Sequence, residues 1–146
     1  MRKGFSLITA IIFLFVVATL ATLALSLSTQ SAKQTTDDYL KIEAELLAKS
    51  GTEFALLALS GHDFNTSGCL NSIDIKYPST VNYTHDINMS IMYIGNGLPI
   101  SCNDILNNTI STPDSNRTVI IDTTVTTNPT ISTEQIRIHR RTIQKP

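Results

Sequence analysis

A long segment without charge is the feature that most constrains this chain. Residues 5–32 contain no ionisable side chain, and most of them are Leu, Ile, Val, Ala or Phe. As an α-helix, residues 5–27 alone would extend about 35 Å, which is enough to cross the hydrocarbon core of a bilayer. A soluble core helix rarely runs this far without one charge. Since Arg2 and Lys3 precede the segment, the positive-inside rule predicts a cytoplasmic N-terminus, with everything after residue 32 outside.

The helical pattern continues beyond the apolar segment, over residues 33–60. No proline occurs before Pro78, and no glycine lies between Gly4 and Gly51. One helix face is apolar and consists of Leu40, Ala44, Leu47, Gly51, Phe54 and Ala58. Charges of alternating sign, four residues apart, mark the other side at Asp37, Lys41, Glu45, Lys49 and Glu53. We therefore expect one helix over residues 5–60, ended near Gly61, whose second half packs under a folded domain.

After Gly61 the pattern changes to that of β-strands. Apolar side chains alternate with polar ones around residues 87–93, 119–125 and 136–141. These runs predict a small antiparallel sheet of three or four strands, with the last two forming a hairpin. We expect residues 81–83 to extend the first strand, Gly95 to Gly97 to form a turn and residues 103–116 to form a polar loop. The predicted fold class is α+β, with a β-rich head over residues 61–146.

Cys69 and Cys102 are the two cysteines of the chain. In an exported protein they predict one disulfide in an oxidising compartment, most simply the periplasm. The alternatives are two unpaired buried thiols or a thiol pair in the cytosol. A zinc site would require further Cys or His residues at short spacing, and none are present. A formal net charge of −1 also excludes a global basic field for nucleic acid.

The start of the chain, Arg2-Lys3-Gly4-Phe5-Ser6-Leu7-Ile8, resembles the prepilin motif of type IV pilins and type II secretion pseudopilins. In that family a membrane peptidase removes a short basic leader that ends in Gly, and the new N-terminus is methylated. The resemblance implies a leader over residues 1–4, cleavage between Gly4 and Phe5, and N-methylation of Phe5. It implies a pilin-like fold, in which a transmembrane helix half over residues 5–32 is followed by an amphipathic half over residues 33–60. An ordinary signal peptide would have a shorter apolar region and a better cleavage site than Ser26-Leu27-Ser28.

Thr9 departs from the family pattern. The family usually has Glu at the fifth position of the mature chain, where it is thought to neutralise the N-terminal amine of a neighbouring subunit. A carboxylate in lipid is costly unless a cation pairs with it. With Thr9, this chain cannot pair with an amine above it, although its own Phe5 amine can pair with a Glu below. The substitution is typical of a minor subunit and suits the tip of a filament; tolerance in a rarely incorporated subunit is the alternative.

No catalytic, metal or cofactor site is expected. His62, His85 and His139 are scattered, and no nucleophile and base recur at a usable spacing. The basic C-terminal run of Arg137, His139, Arg140, Arg141 and Lys145 has two interpretations. It either contacts DNA or an acidic partner, or it protects an exposed edge strand from pairing. Since no aromatic residues interleave with these charges, the DNA interpretation has weak support.

Five asparagines begin N-x-[ST] sequons, and three of them, Asn65, Asn88 and Asn116, also have Asp two residues earlier. The longer pattern resembles the acceptor sequence of bacterial N-glycosylation. Asparagine- and threonine-rich heads also generate such matches by chance, so the glycosylation hypothesis rests on the pattern alone.

The sequence therefore predicts a minor pilin or pseudopilin of a type IV pilus-like or type II secretion-like filament. Expected partners are other pilins through the N-terminal helix, the prepilin peptidase, an inner-membrane assembly platform and the lipid bilayer. The expected location is the inner membrane, with the head in the periplasm or on a filament. The alternative is a single-pass, periplasm-facing interaction protein that does not polymerise.

Overall fold

The computed structural model describes residues 2–64, 68–99, 102, 104–111, 117–132 and 134–146, with the backbone alone for residues 2–6. Helix α1 runs from Arg2 to Ser60, and five strands follow it. The strands are β1 Ser72–Tyr77, β2 His85–Gly95, β3 Ile105–Asn107, β4 Arg117–Thr127 and β5 Arg137–Gln144. The chain divides into two compact units, Met1–Asp38 and Tyr39–Pro146.

Helix α1 is uninterrupted in its apolar part, and threonine hydroxyl groups there bond to the helix itself. Thr19 Oγ1 donates to the carbonyl of Val16 and Thr22 Oγ1 donates to the carbonyl of Thr19, both at 2.9 Å. Thr29 Oγ1 donates to the carbonyl of Leu25 at 3.0 Å. Each of these hydroxyl groups therefore has a hydrogen-bond acceptor within the helix and needs no partner outside it. The helix ends at Ser60, where Gly61 N still donates to the carbonyl of Leu57.

The second unit has the α+β architecture that the sequence predicts, with α1 packed on the sheet. The sheet order is β1-β2-β4-β5, and these neighbours are antiparallel. Strand β3 is a difference from the predicted antiparallel sheet, since it pairs with β2 in parallel at Tyr93 and Ile94. Strand β4 covers the other side of β2 along its full length. Strand β3 therefore lies along the same edge of β2 as β1 does.

Two strands were not predicted, and one boundary was wrong. In β1 the apolar residues Ile73 and Ile75 alternate with polar neighbours over six residues, which is too short a run for a firm prediction. Strand β3 lies inside the predicted polar loop and has three residues. Strand β2 begins at His85, so residues 81–83 lie outside it. The predicted hairpin of the last two strands is confirmed as β4–β5.

The core lies between the small-residue face of α1 and the inner faces of β2 and β4. Its buried members are Ala44, Ala48, Ala55, Leu59, Ile87, Met89, Ile91, Tyr93, Leu98, Val119, Ile121 and Val125. Tyr93 is fully buried, and its hydroxyl donates to the carbonyl of Leu70 at 2.7 Å. Burial raises the pKa of Tyr93 to about 12, so the phenol stays neutral and the core contains no phenolate.

The predicted apolar face of α1 was partly wrong. Leu40, Ala44 and Gly51 are buried as expected, but Phe54 is 48% exposed. The buried face instead continues through Ala48, Thr52, Ala55 and Leu59. Thr52 is accommodated because its hydroxyl donates to the carbonyl of Ala48 at 2.9 Å and lies 3.2 Å from the hydroxyl of Thr123.

Gly51 sets the distance between α1 and the sheet. A Cβ atom at this position would lie 3.3 Å from Ile87 Cγ2 and from Met89 Sδ. We expect Gly51→Leu to lower the free energy of unfolding of the second unit by about 1–3 kcal/mol, since the extra atoms overpack a closed interface. Denaturation of the detergent-solubilised chain, followed by the β-sheet circular dichroism, measures the change.

Gly61→Leu is the matched control for Gly51→Leu, since it adds the same side chain at an exposed position. A Cβ at Gly61 would meet the carbonyl of Leu57 at 3.8 Å, an ordinary contact. We expect a change within about 0.5 kcal/mol. Equal effects of the two substitutions would contradict the role assigned to Gly51.

Candidate assembly surfaces of the helix and the sheet

The N-terminal unit exposes a continuous apolar helix surface. Helix α1 is long and apolar enough to cross a membrane by length and composition, and its best window has a mean hydropathy of 2.7 with none of it buried. Every large apolar side chain between Leu7 and Leu27 is exposed, from 45% at Ile11 to 71% at Leu25. Since a water-soluble surface rarely exposes such an area, the segment is suited to lipid or to other apolar helices.

The residues of the predicted processing site fall at the start of this helix. Gly4 and Phe5 have helical backbone, and their side chains lie outside the described atoms. Thr9 is exposed and lies in the apolar segment. Its position among exposed apolar neighbours means that a carboxylate in its place would face the same apolar surroundings.

The second unit carries an apolar stripe on the solvent side of α1, which we call the outer stripe. It consists of Tyr39, Ile42, Leu46, Phe54 and Leu57, which are 48–69% exposed. Steps of three, four, eight and three residues keep these side chains on one side of the helix, opposite Ala44, Ala48 and Ala55. Beside it, a groove of about 280 Å³ is lined by Tyr39, Ile42, Glu43, Leu46, Leu47 and Tyr77.

Sequence reasoning missed the outer stripe because it assigned only one apolar face to α1. The sequence signal for this stripe was the spacing of Tyr39, Ile42 and Leu46. These apolar residues recur at intervals of three and four, as on the second packing face of a helix. The predicted charged positions Lys41, Glu45, Lys49 and Glu53 are exposed. The buried face of the helix therefore consists mainly of small residues between Leu40 and Leu59, while other large apolar residues face solvent.

The disulfide joins the segment after α1 to the segment before β3. Cys69 and Cys102 have Cα atoms 4.8 Å apart. Cys102 is buried, and Cys69 is partly buried against the core. Since both sulfur atoms are bonded to each other, neither is available as a nucleophile or a metal ligand.

Of the three candidate glycosylation sites, only Asn88 lies among the residues that the structure describes. Asn65 and Asn116 lie outside the described residues. Asn88 lies within β2, paired with Asp74 of β1 and Thr124 of β4. Its side-chain amide donates to Asp74 Oδ1. The amide nitrogen of Asn88, although exposed, therefore already donates a hydrogen bond in the folded sheet.

The three histidines do not form a site. His62 contacts the carbonyl of Gly68, at 2.9 Å from Nε2. His85 is fully buried, and its Nε2 lies 3.2 Å from the carbonyl of Leu40, so this nitrogen must donate. His139 is on β5. Within the described ranges, no three His, Cys, Asp or Glu residues converge in a way that could hold a metal ion.

The basic residues of β5 divide between the two faces of the sheet. The register places Arg137, His139 and Arg141 opposite Thr126, Thr124 and Asp122 on the outer face. Arg140 alternates to the helix side and lines a groove with Glu45 and Lys49. The prediction that Arg137, His139 and Arg141 share a face agrees with this register.

Asp122 is the carboxylate at the centre of this basic surface. Arg141 donates to it twice, from Nε at 2.8 Å and from Nη2 at 2.5 Å. His139 Nε2 lies 3.0 Å from Oδ1. The Arg141 hydrogen bonds hold the pKa of Asp122 below its usual range, although burial opposes them, and Asp122 in turn raises the pKa of Arg141.

No family model, curated protein or solved structure matches this chain.

Asp122 should make the stability of the β4–β5 pair depend on acid pH. Its pKa is lower in the folded chain than in the unfolded one, so the stabilisation is present above pH 4 and is lost as the pH falls through the folded value. We expect the melting-temperature difference between the parent and Asp122→Asn to shrink steadily as the pH falls below about 5. Thermal scans in an uncharged detergent measure it. A difference that grows on acidification would contradict the assignment.

Proposed function

We propose that this chain is a prepilin-type minor subunit, processed at Phe5 and assembled into a filament through α1. The observation that carries the proposal is the exposed apolar surface of α1 from Leu7 to Leu27, which directly follows the Gly4-Phe5 motif. Such a helix needs a nonaqueous environment before assembly and apolar neighbours after it. A bundle of like helices supplies those neighbours, and Ala10, Ala18, Ala21 and Ala24 permit close approach of the helices.

The outer stripe supports assembly rather than anchoring alone. A membrane anchor needs apolar residues only within the lipid, whereas Tyr39, Ile42, Leu46, Phe54 and Leu57 belong to the unit that contains the sheet. Exposed apolar residues at helical spacing are the surface that a packed helix buries. In the proposed filament the outer stripe contacts helices of neighbouring subunits.

Thr9 favours a minor subunit at or near the tip. A subunit without a carboxylate at this position cannot pair with the amine of a subunit above it. The amine of Phe5 still gives the subunit below a cation to pair with. The interaction is therefore one-sided, which suits an end of the filament. In this proposal the chain resides in the inner membrane, N-terminus inside and sheet unit outside, until a platform incorporates it.

The alternative is a single-pass anchored protein whose sheet unit binds a partner without polymerising. It accounts for the exposed apolar helix equally well but gives no reason for the Gly4-Phe5 junction or the outer stripe. N-terminal processing separates the two proposals.

We expect the native protein to begin at Phe5 and to carry the mass of one added methyl group. The peptidase should remove residues 1–4, since the junction matches the prepilin motif. Intact-mass measurement and N-terminal sequencing of the membrane-extracted chain test this. Retention of Met1 would favour the anchored alternative.

Assembly should depend on the outer stripe. We expect Ile42→Glu together with Leu46→Glu to reduce incorporation into filaments about tenfold, since two carboxylates would be buried against apolar helices. The free energy of unfolding should change by less than about 0.5 kcal/mol, because both side chains are exposed. Sheared-filament fractions, probed for this chain, measure incorporation.

Lys49→Glu is the control, since it changes the net charge by the same amount at an exposed position outside the stripe. It should leave incorporation within about twofold of the parent. Equal loss in both variants would assign the effect to charge rather than to the stripe.

A further inference from the structure

Strand β5 is an edge strand with an open side. It pairs with β4 through Arg137–Gln144, and within the described part of the chain no strand pairs with its other side. Thr127 N donates to the carbonyl of Ile136 at 2.9 Å, just before the ladder begins. In an antiparallel pair the hydrogen-bonded positions alternate. The backbone groups of Arg137, His139, Arg141 and Ile143 therefore point away from β4, towards the open side.

This open side offers backbone partners over most of an eight-residue strand. Four N–H and four C=O groups, at alternate residues, are enough to hold an added strand by main-chain hydrogen bonds. Specificity would then come from side chains that alternate between the two faces of the sheet. On the outer face these are Arg137, His139, Arg141 and Ile143, and Ile143 is 66% exposed.

The charges of β5 select the partner. Asp122 engages His139 and Arg141. Arg137 and Arg140 form no ion pair within 4 Å with any described carboxylate. Charged side chains on an edge strand normally prevent another strand from pairing with it. This protection depends on whether the charges of the incoming strand have the same or the opposite sign. A second copy of β5 would bring arginines against arginines, whereas an acidic strand would bring carboxylates against them.

We propose that the open side of β5 binds an extended acidic segment of a partner protein by strand addition. Acidic residues of that segment lie on the outer face beside Arg137, His139 and Arg141. Nucleic acid is less well matched, since no aromatic side chain of β5 offers a stacking surface. The proposal does not depend on filament assembly.

A peptide pair separates strand addition from simple charge attraction. The first probe is a fluorescent, amidated heptapeptide of alternating glutamate and valine. The second is the same peptide with every residue N-methylated, which keeps the side-chain charge but removes the N–H groups of both edges. With the full chain in an uncharged detergent, fluorescence anisotropy should give at least tenfold weaker binding of the methylated peptide. Equal binding of the two peptides would overturn the proposal, as would binding of neither.

The protein variants test the side chains. Arg137→Glu should weaken binding of the first peptide about tenfold, and Lys41→Glu, with the same change in net charge on α1, should leave it within about twofold. Thermal scans check that each variant retains the sheet. Equal weakening by both variants would show that only the net charge of the protein matters, and this would contradict the proposal.

Random-sequence duplex DNA is the third probe. If it binds as tightly as the first peptide, β5 is a general polyanion site, and the proposal is overturned.

Discussion

The close contact between the small-residue face of α1 and the sheet is the interaction on which the second unit depends. Alanines and Gly51 bring the helix backbone near β2 and β4, so that Ile87, Met89 and Thr123 fill the space that larger helix residues would occupy. The buried side of the helix holds mainly small residues between Leu40 and Leu59, and the large apolar residues of the outer stripe lie on the opposite side. The outer stripe is the surface to which the proposed filament contacts are assigned.

Helix α1 contains two kinds of sequence pattern. From Leu7 to Leu27 every large apolar side chain is exposed and threonine hydroxyls bond to the helix, which suits lipid. In the second unit charges at Lys41, Glu45, Lys49 and Glu53 lie among the apolar residues, which suits water on one side and a core on the other. The change in pattern occurs without a proline or a helix-breaking glycine, so the same element continues through it.

The sequence was most informative where long patterns repeat. The charge-free run and the alternation in β2 and β4 predicted the α+β fold, since each pattern extends over many residues. Short elements were missed, because the three residues of β3 and the six of β1 carry too little pattern to be recognised. The predicted burial of Phe54 was wrong because helical spacing places this residue between the two faces of α1. Only the packing of the helix on the sheet decides which face is buried. The outer stripe could have been predicted from the spacing of Tyr39, Ile42 and Leu46. The contacts of Asp122 with Arg141 and His139 could not, because they depend on the register between β4 and β5.

In the proposed filament, the threonines of the apolar segment that bond to their own helix would affect how α1 packs against other helices. Because the hydroxyls of Thr19, Thr22 and Thr29 already donate within the helix, they are poorly placed to fix a neighbour's rotation through directional bonds. Shape must then determine the fit, through the alternation of alanines with leucines and phenylalanines. A surface of that kind tolerates small rotations and axial slips of one helix against the next, and so permits contact with helices of unlike sequence.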